Sequence, residues 1–304
     1  MKKLLACLIL SLLSVASFAG EQFIVKDGQA NAQIVIAAEN RPRMVTLAAL
    51  DLQYFIQKMS GARLTIVTTP DASVPVKIYV GKSPETEKLG IKTDDLKYGS
   101  FRIASGTDWL ALVGDDRDFV PPFQPFPILR SDREKANAAW KKLIEGKTDA
   151  GWLFPFLLAA KRAWFPKDFE KTMNTFYGEG ASALWKTGGN TTDGFWEQDE
   201  NGSLNAVHDF LRGLGVRLYK AGQENEIIPK MASIPLQKID KTDIPDYAFR
   251  SWNWYDYPRF SLDDVLWGRR IGMNSPYQII GPIRIGHGEF IPIRLPQRTS
   301  SRLN

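Results

Sequence analysis

This sequence of 304 residues contains one cysteine, Cys7, and two histidines, His208 and His287. Because Cys7 lies in an apolar N-terminal segment, the rest of the chain can form no disulfide, thiolate nucleophile or cysteine-ligated zinc site. The histidines are far apart in the sequence, which gives little support to a histidine zinc site or a Ser-His-Asp triad. We therefore expect no metal and no cofactor, and a fold that its hydrophobic core holds together.

Long runs of one kind of residue are also scarce. The chain has no run of five basic residues, so nucleic acid is not an expected partner. Its one long apolar run, 4–15, follows Lys2 and Lys3 and precedes the small residues of Ser17-Phe18-Ala19, which is the pattern of a signal peptide. The run is short for a membrane-spanning helix. We predict a signal peptide over 1–19, no membrane span after its removal, and a secreted or periplasmic protein.

What the chain does contain is typical of a globular protein. Hydrophobic residues make up 44% of it and charged residues 24%. The net charge of +5 falls to +3 when the two lysines of the signal peptide are removed. Nine Trp, nine Tyr and seventeen Phe supply rings that suit the faces of sugars, although most such residues belong to cores.

The first part of the chain has the pattern of an α/β layer domain. The predicted elements are strands within 22–38 and at 64–68 and 76–80, a helix at 45–59, a short helix at 83–90, and a hairpin-like pair at 101–103 and 109–113. Gly61 stands where the C-terminal cap of the long helix belongs. After about residue 201 the pattern resumes with a helix that carries His208 and stops at Gly215. We predict a mixed-sheet α/β domain over 20–243.

Two further regions are predicted from changes in this pattern. Four prolines and then helical stretches at 136–144, 157–164 and 169–176 indicate a helical insertion without strands over about 119–201. From 244 a new strand–helix–strand unit begins, with Asp263 and Asp264 as charges of the first helical turn. One such unit corresponds to the first part of a (β/α)₈ barrel over 244–304.

Candidate site residues are few. Glycoside hydrolysis usually needs a pair of carboxyl groups, and no pair stands out, so the catalytic residues are unknown. We interpret Glu197, Asp199 and Glu200 as a solvated loop. His208 lies beside an apolar helical stripe, which favours a partly buried packing residue.

Three residues of the C-terminal region are candidates for substrate binding. Arg250 and Trp252 point to the same side of a predicted strand, where a guanidinium beside a ring would suit a carboxylate-bearing sugar. Packing of the tryptophan against the preceding domain is the alternative. His287 lies between two glycines after an apolar stretch, where it is either a site residue or a plain turn residue.

Four segments resemble the N-terminal domain of α-glucuronidase-like (family 67-type) glycoside hydrolases and related secreted bacterial proteins. They are a helix ending in K-x-S-G (Val45 to Gly61), an I-x-V-G strand (Ile78 to Gly81), an L-x-G strand (Leu112 to Gly114) and the helix and strand G-x-x-x-A-V-x-x-F-L-x-x-L-G-V-R (Gly202 to Arg217). Their order and spacing cover about 30–240, apart from the insertion.

This resemblance implies an exported, carbohydrate-active protein in a setting of polysaccharide degradation, with carbohydrate as its partner, including uronic-acid-bearing sugars. In such families a (β/α)₈ barrel follows this domain and carries the catalytic carboxylates on later strands. We expect this chain to lack those strands, so whether it is an enzyme stays open. The alternatives are a non-catalytic carbohydrate-binding module and a truncated remnant without activity. The sequence leaves the oligomeric state unknown.

Overall fold

The structure, a computed structural model, describes residues 22–119, 163–190, 192–196, 198–248, 250 and 262–274. Its strands are β1 (Phe23–Lys26), β2 (Gln29–Ala30), β3 (Ala32–Val35), β4 (Thr65–Val67), β5 (Val76–Val80), β6 (Phe101–Ser105), β7 (Trp109–Gly114), β8 (Asp116–Arg117), β9 (Ala163–Trp164), β10 (Phe195–Trp196), β11 (Glu200–Asn201), β12 (Arg217–Leu218), β13 (Glu226–Ile227), β14 (Ile234–Pro235) and β15 (Asp240–Asp243). Its α-helices are α1 (Arg43–Ser60), α2 (Pro84–Lys88), α3 (Phe169–Tyr177), α4 (Ala181–Lys186), α5 (Gly202–Gly213) and α6 (Leu262–Arg270).

A six-stranded mixed sheet with the order β15-β6-β7-β5-β3-β4 forms the centre of the fold. The strands β7, β5, β3 and β4 run parallel, while β6 and β15 are antiparallel to their neighbours. Along β5 the apolar residues at 76, 78 and 80 are buried, and the residues between them are only partly buried. One face of the sheet therefore packs on helices, and the predicted mixed α/β class is confirmed.

The helices α1 and α5 cover this buried face. Most of α1 is buried, and it ends at Gly61, whose φ of 81° lies in the left-handed region that glycine adopts without strain. The helix α5 packs on α1, β6 and β7. A single hydrophobic cluster contains residues from the sheet and from both helices, so sheet and helices share one core.

The part of the predicted insertion that the structure describes contains strands, contrary to the expectation. The pair β9–β10 begins at Ala163, where the end of a helix was predicted, and β8–β11 is a second short pair. Propensity favoured a helix here, but pairing with a strand more than thirty residues later decided the conformation. The predicted helix at 169–176 is confirmed as α3, which packs with α4 against α1.

The segment after residue 243 packs onto the α/β domain where the structure describes it. Helix α6 begins with Asp263 and Asp264 in its first turn, as predicted. Its residues Val265 and Leu266 join the hydrophobic cluster of the sheet and helices. The predicted signal peptide, most of the insertion and the remaining residues of the predicted barrel lie outside the described residues. No helix in the described ranges combines the length and the apolar character needed to cross a membrane.

Candidate ligand-binding site at the strand ends

The topology of the sheet creates a cleft at one edge. The strands β3, β5 and β7 are parallel, so their carboxyl ends lie at the same edge. After β3 the chain continues to β4, which lies on one side of β3 in the sheet. After β5 it continues to β6 and β7, which lie in the opposite direction. In open α/β sheets, ligands bind outside the carboxyl ends of strands at such a reversal.

A cavity of about 490 Å³ lies at this position, and we call it the strand-end pocket. Residues that follow β3, β5 and β7 line it, together with the first residues of α1 and α2. The volume is within the usual range for sites that bind small molecules, which is roughly 300–1,000 Å³.

The lining of the strand-end pocket is rich in hydrogen-bond acceptors. Its carboxylates are those of Glu39, Glu87, Asp94, Asp115 and Asp116, and its one lysine is Lys82. The lysine lies 3.6 Å from Glu87 and 3.9 Å from Asp94, so part of its charge is compensated. Within the described residues, no three His, Cys, Asp or Glu side chains converge as metal ligands would.

One of these carboxylates has an oxygen without a hydrogen-bond donor among the described residues. The Oδ2 atom of Asp115 is buried and accepts no hydrogen bond from any residue that the structure describes. Its other oxygen, Oδ1, lies 3.7 Å from Nε of Arg117, which is an ion pair at long range. A buried acceptor without a donor costs about 1–3 kcal/mol. A ligand hydroxyl or N–H that reached Oδ2 would remove this cost.

Asp116 and Asp118, which follow Asp115, accept hydrogen bonds from the first turns of two helices. Both oxygens of Asp116 accept hydrogen bonds from Ser203, at 2.9 Å from its backbone N–H and 2.5 Å from its hydroxyl, in the first turn of α5. Asp118 accepts the backbone N–H of Arg43, the first residue of α1, at 2.9 Å. Carboxylates are favourable at helix N-termini, where backbone N–H groups lack partners. The segment 115–118 thus fixes β7 to both helices.

Two of these acids have perturbed pKa values. Burial raises the pKa of Asp116 to about 7, the hydrogen bonds from Ser203 oppose the rise, and the neighbouring Asp115 and Asp118 add to it. Burial also raises the pKa of Asp118 to about 6, against the attraction of Arg43. Of the two, Asp116 lines the strand-end pocket, and perturbed carboxyl groups in a cleft are typical of functional sites.

The raised pKa of Asp116 predicts a dependence of stability on pH. From the usual 3.8 up to about 7, this carboxyl binds more protons in the folded protein than in the unfolded one, so its contribution to stability falls as pH rises. The substitution Asp116→Asn can keep both contacts with Ser203. In the unsubstituted chain, the titration of Asp116 should lower the free energy of unfolding between pH 5 and pH 8. We expect this decrease to be smaller in the variant, and urea denaturation at the two pH values measures it. An unchanged pH profile would contradict the assignment.

The residues predicted to bind substrate lie elsewhere. Arg250 donates hydrogen bonds to the carbonyl oxygens of Gly272 (2.9 Å), Tyr247 (2.7 Å) and Tyr98 (3.2 Å), using all three nitrogens of its guanidinium. These contacts join the segment around 250 to the end of α6 and to the α/β domain. Trp252 and His287 lie outside the described residues. The role of all three in sugar binding therefore stays a prediction.

The interpretation of 197–200 as a solvated loop was wrong for the two acids that the structure describes. Asp199 is fully buried and forms a bidentate pair with Arg43, with Nε–Oδ2 and Nη2–Oδ1 distances of 3.0 and 2.6 Å. Glu200 is also buried and accepts a hydrogen bond from Asn274 at 2.9 Å. Their partners are distant in sequence, so local composition could not reveal the pairing.

His208 is buried, as predicted, but it belongs to a charged network. Its Nε2 lies 2.8 Å from Oδ2 of Asp51 on α1. The same carboxylate accepts two hydrogen bonds from Arg270 of α6, at 3.0 and 2.7 Å, and one from the hydroxyl of Tyr177 at 2.6 Å. Burial lowers the pKa of His208, which favours the neutral imidazole. Burial alone would raise the pKa of Asp51, but Arg270 and His208 hold it well below its usual value.

Sequence reasoning missed the acids of the strand-end pocket. The available signal was three aspartates, at 115, 116 and 118, directly after the apolar strand that ends at Gly114. Acids that follow a buried strand in an α/β domain are candidates for helix caps or for ligand contacts.

The chain matches no protein-family model and no curated protein.

Proposed function

We propose that this chain is an exported, carbohydrate-active protein whose α/β domain is an accessory domain like that of α-glucuronidase-like glycoside hydrolases, and that it binds sugar at the strand-end pocket. The observation that carries the binding proposal is that Asp115, a lining residue of this acceptor-rich pocket at the topological reversal of the sheet, has a buried Oδ2 without a donor among the described residues. Sugars present many hydroxyl donors, and carboxylates accept hydrogen bonds from them.

The contacts of three glycines support the accessory-domain part of the proposal. A Cβ atom on Gly81 would lie 2.6 Å from Cγ1 of Val45, at the start of α1. A Cβ atom on Gly114 would lie 2.2 Å from the carbonyl carbon of Gly202, at the start of α5. These glycines and helices come from the four segments that resemble the family. The segments therefore pack on one another, as the parts of one domain should.

The charge of the pocket favours an uncharged sugar over a uronic acid. Among the described residues its carboxyl groups outnumber its lysine, which is itself paired, even though Asp116 is partly protonated near its pKa of about 7. A sugar carboxylate would meet like charges, whose repulsion is strong where water is partly excluded. We therefore assign the strand-end pocket to the hydroxyl groups of neutral sugars.

The test is the binding of neutral oligosaccharides by the full chain and by an Asp115→Ala variant. We expect affinity for the best ligand of a panel of neutral oligosaccharides to fall about tenfold or more, because a hydrogen bond to a charged group contributes about 1.5–3 kcal/mol. Titration calorimetry measures the change. The matched control is Asp108→Ala, which removes an exposed aspartate from the turn at the other end of β7.

Two outcomes would overturn the proposal. One is the absence of binding to any member of the panel by a chain that is folded by circular dichroism. The other is an equal loss of affinity in the Asp115 and Asp108 variants, since that would place the binding site elsewhere.

A further inference from the structure

A second cavity, of about 470 Å³, lies where the C-terminal ends of α1 and α3 meet, and we call it the basic pocket. The side chains of Lys58, Arg63 and Lys230 line it, together with Gln57 and Phe176. None of the described residues that line it is acidic. It thus has the opposite charge to the strand-end pocket and shares no residue with it.

The cations of this pocket form no ion pair within the part of the chain that the structure describes, although the more distant Glu226 attracts Lys58. None of the three cations has a carboxylate there within 4.0 Å, the limit for an ion pair. The two helix C-termini contribute a partial charge of roughly −0.5 each, or about −1 together. Three full positive charges exceed this partial charge, so the pocket stays positive even with the attraction between Lys58 and Glu226. The attraction of cations to the two helix C-termini therefore does not by itself explain why three positive side chains meet here.

Each cation is held by a contact that leaves donors available. Arg63 donates to Oε1 of Gln57 and to the carbonyl of Tyr177, both at 3.1 Å, which uses two of its five N–H groups. Lys230 donates one of its three hydrogens to the carbonyl of Lys58 at 2.7 Å. The ammonium of Lys58 lies 5.3 Å from the centre of the Tyr54 ring. These contacts orient the three side chains before a ligand arrives, which reduces the entropy lost on binding.

The backbone on the far side of the pocket makes room for the guanidinium. Gly178 has a φ of 95°, and a Cβ atom there would lie 3.1 Å from Nη1 of Arg63. Glycine is the residue that allows both the positive φ and the close approach. Sugar stacking on Phe176 is not indicated, because its ring already stacks on Tyr54, another lining residue, at 4.8 Å and has Arg270 at 5.2 Å.

We propose that the basic pocket is a binding site for a small ligand that carries an oxyanion group, namely a carboxylate, a sulfate or a phosphate. Lys58 and Lys230 supply point charges, and Arg63 supplies the planar pair of donors that matches two oxygens of such a group. The inference goes beyond the function proposed above, because it rests on other residues and on a ligand of opposite charge.

The experiment measures the binding of inorganic phosphate, sulfate and galacturonate to the full chain, with galactose as the uncharged control. We expect one or more of the anions to bind, galactose not to compete for the site, and affinity to fall as salt is raised. In the triple variant Lys58→Gln, Arg63→Gln, Lys230→Gln we expect the affinity to fall by about tenfold or more. The matched control is Lys88→Gln, Lys92→Gln, Lys238→Gln, which removes three exposed cations and the same net charge.

The results separate the sources of the anion and the role of the pocket. Binding of phosphate or sulfate alone supports a site for a tetrahedral anion, and binding of galacturonate supports a site for an acidic sugar. The proposal is overturned if no anion binds up to about 10 mM, or if both triple variants lose affinity equally while thermal unfolding shows that both are folded. Failure here leaves the Asp115 experiment unaffected, since that experiment uses neutral sugars.

Discussion

Replacing Arg270 by alanine is expected to lower the free energy of unfolding by about 3–5 kcal/mol, the usual cost of removing one partner of a buried ion pair. The reason is that Asp51 is fully buried and Arg270 supplies two of its hydrogen bonds. Without the guanidinium, His208 and Tyr177 remain as donors, but the negative charge of Asp51 has no positive partner of comparable strength. Urea denaturation of the full chain measures the effect.

Two controls separate charge from packing. Arg212→Ala removes an exposed arginine from α5 and should change stability by less than about 0.5 kcal/mol. The double variant Asp51→Asn, Arg270→Met removes both charges and should lose less than Arg270→Ala does, because replacing a whole buried pair is often close to neutral. If Arg270→Ala cost less than about 1 kcal/mol, the pair would not link α6 to the domain.

This pair also bears on where the first domain ends. The sequence places the boundary at 243/244, between the α/β domain and the start of a barrel. Yet Arg270 lies 219 residues after Asp51 and closes a network inside the α/β core, and Val265 and Leu266 extend its hydrophobic cluster. A chain cut after residue 243 would leave Asp51 without Arg270. We therefore infer that the segment 262–274 belongs structurally to the α/β domain, whatever follows it.

The sequence predicted the elements whose signals are local. Strand β5 was predicted at 76–80 and lies at Val76–Val80, because alternating apolar residues between turn residues specify a strand. The long helix and its cap at Gly61 followed from helical spacing and from the conformational freedom of glycine. Helix α2 begins at Ser83-Pro84, as predicted, and the structure shows that Ser83 and Thr86 form a capping box there.

The parts that sequence could not supply depend on long-range pairing. Asp199 resembles a loop acid until Arg43, 156 residues earlier, is placed beside it. Asp51 resembles any polar residue of an amphipathic helix, and only the fold brings three donors to it. The same holds for both pockets. The strand-end pocket needs the strand order, and the basic pocket needs the ends of two helices to meet.

Replacing Gly202 by alanine is expected to destabilise the protein by about 3 kcal/mol or more. A Cβ atom at this position would lie 2.3 Å from the backbone nitrogen of Asp115, 2.6 Å from the carbonyl oxygen of Ser100 and 2.7 Å from the carbonyl carbon of Gly114. All three are backbone atoms, so no side chain can rotate to relieve the contact. The start of α5 or the end of β7 must move instead. Thermal and urea denaturation measure the loss.

The same helix provides the matched control. A Cβ atom on Gly213, the last residue of α5, would meet no atom within 4 Å, and this glycine has no positive φ. Gly213→Ala should therefore be neutral or stabilise by about 0.5–1 kcal/mol through its helix propensity. Equal effects of the two substitutions would contradict the close packing of β7 on α5. Because Asp115 lies at that contact, a folded Gly202→Ala protein should also bind neutral sugars more weakly, whereas Gly213→Ala should bind them normally. That result would show that the close contact between Gly114 of β7 and Gly202 of α5 keeps the strand-end pocket in the shape that binds sugar.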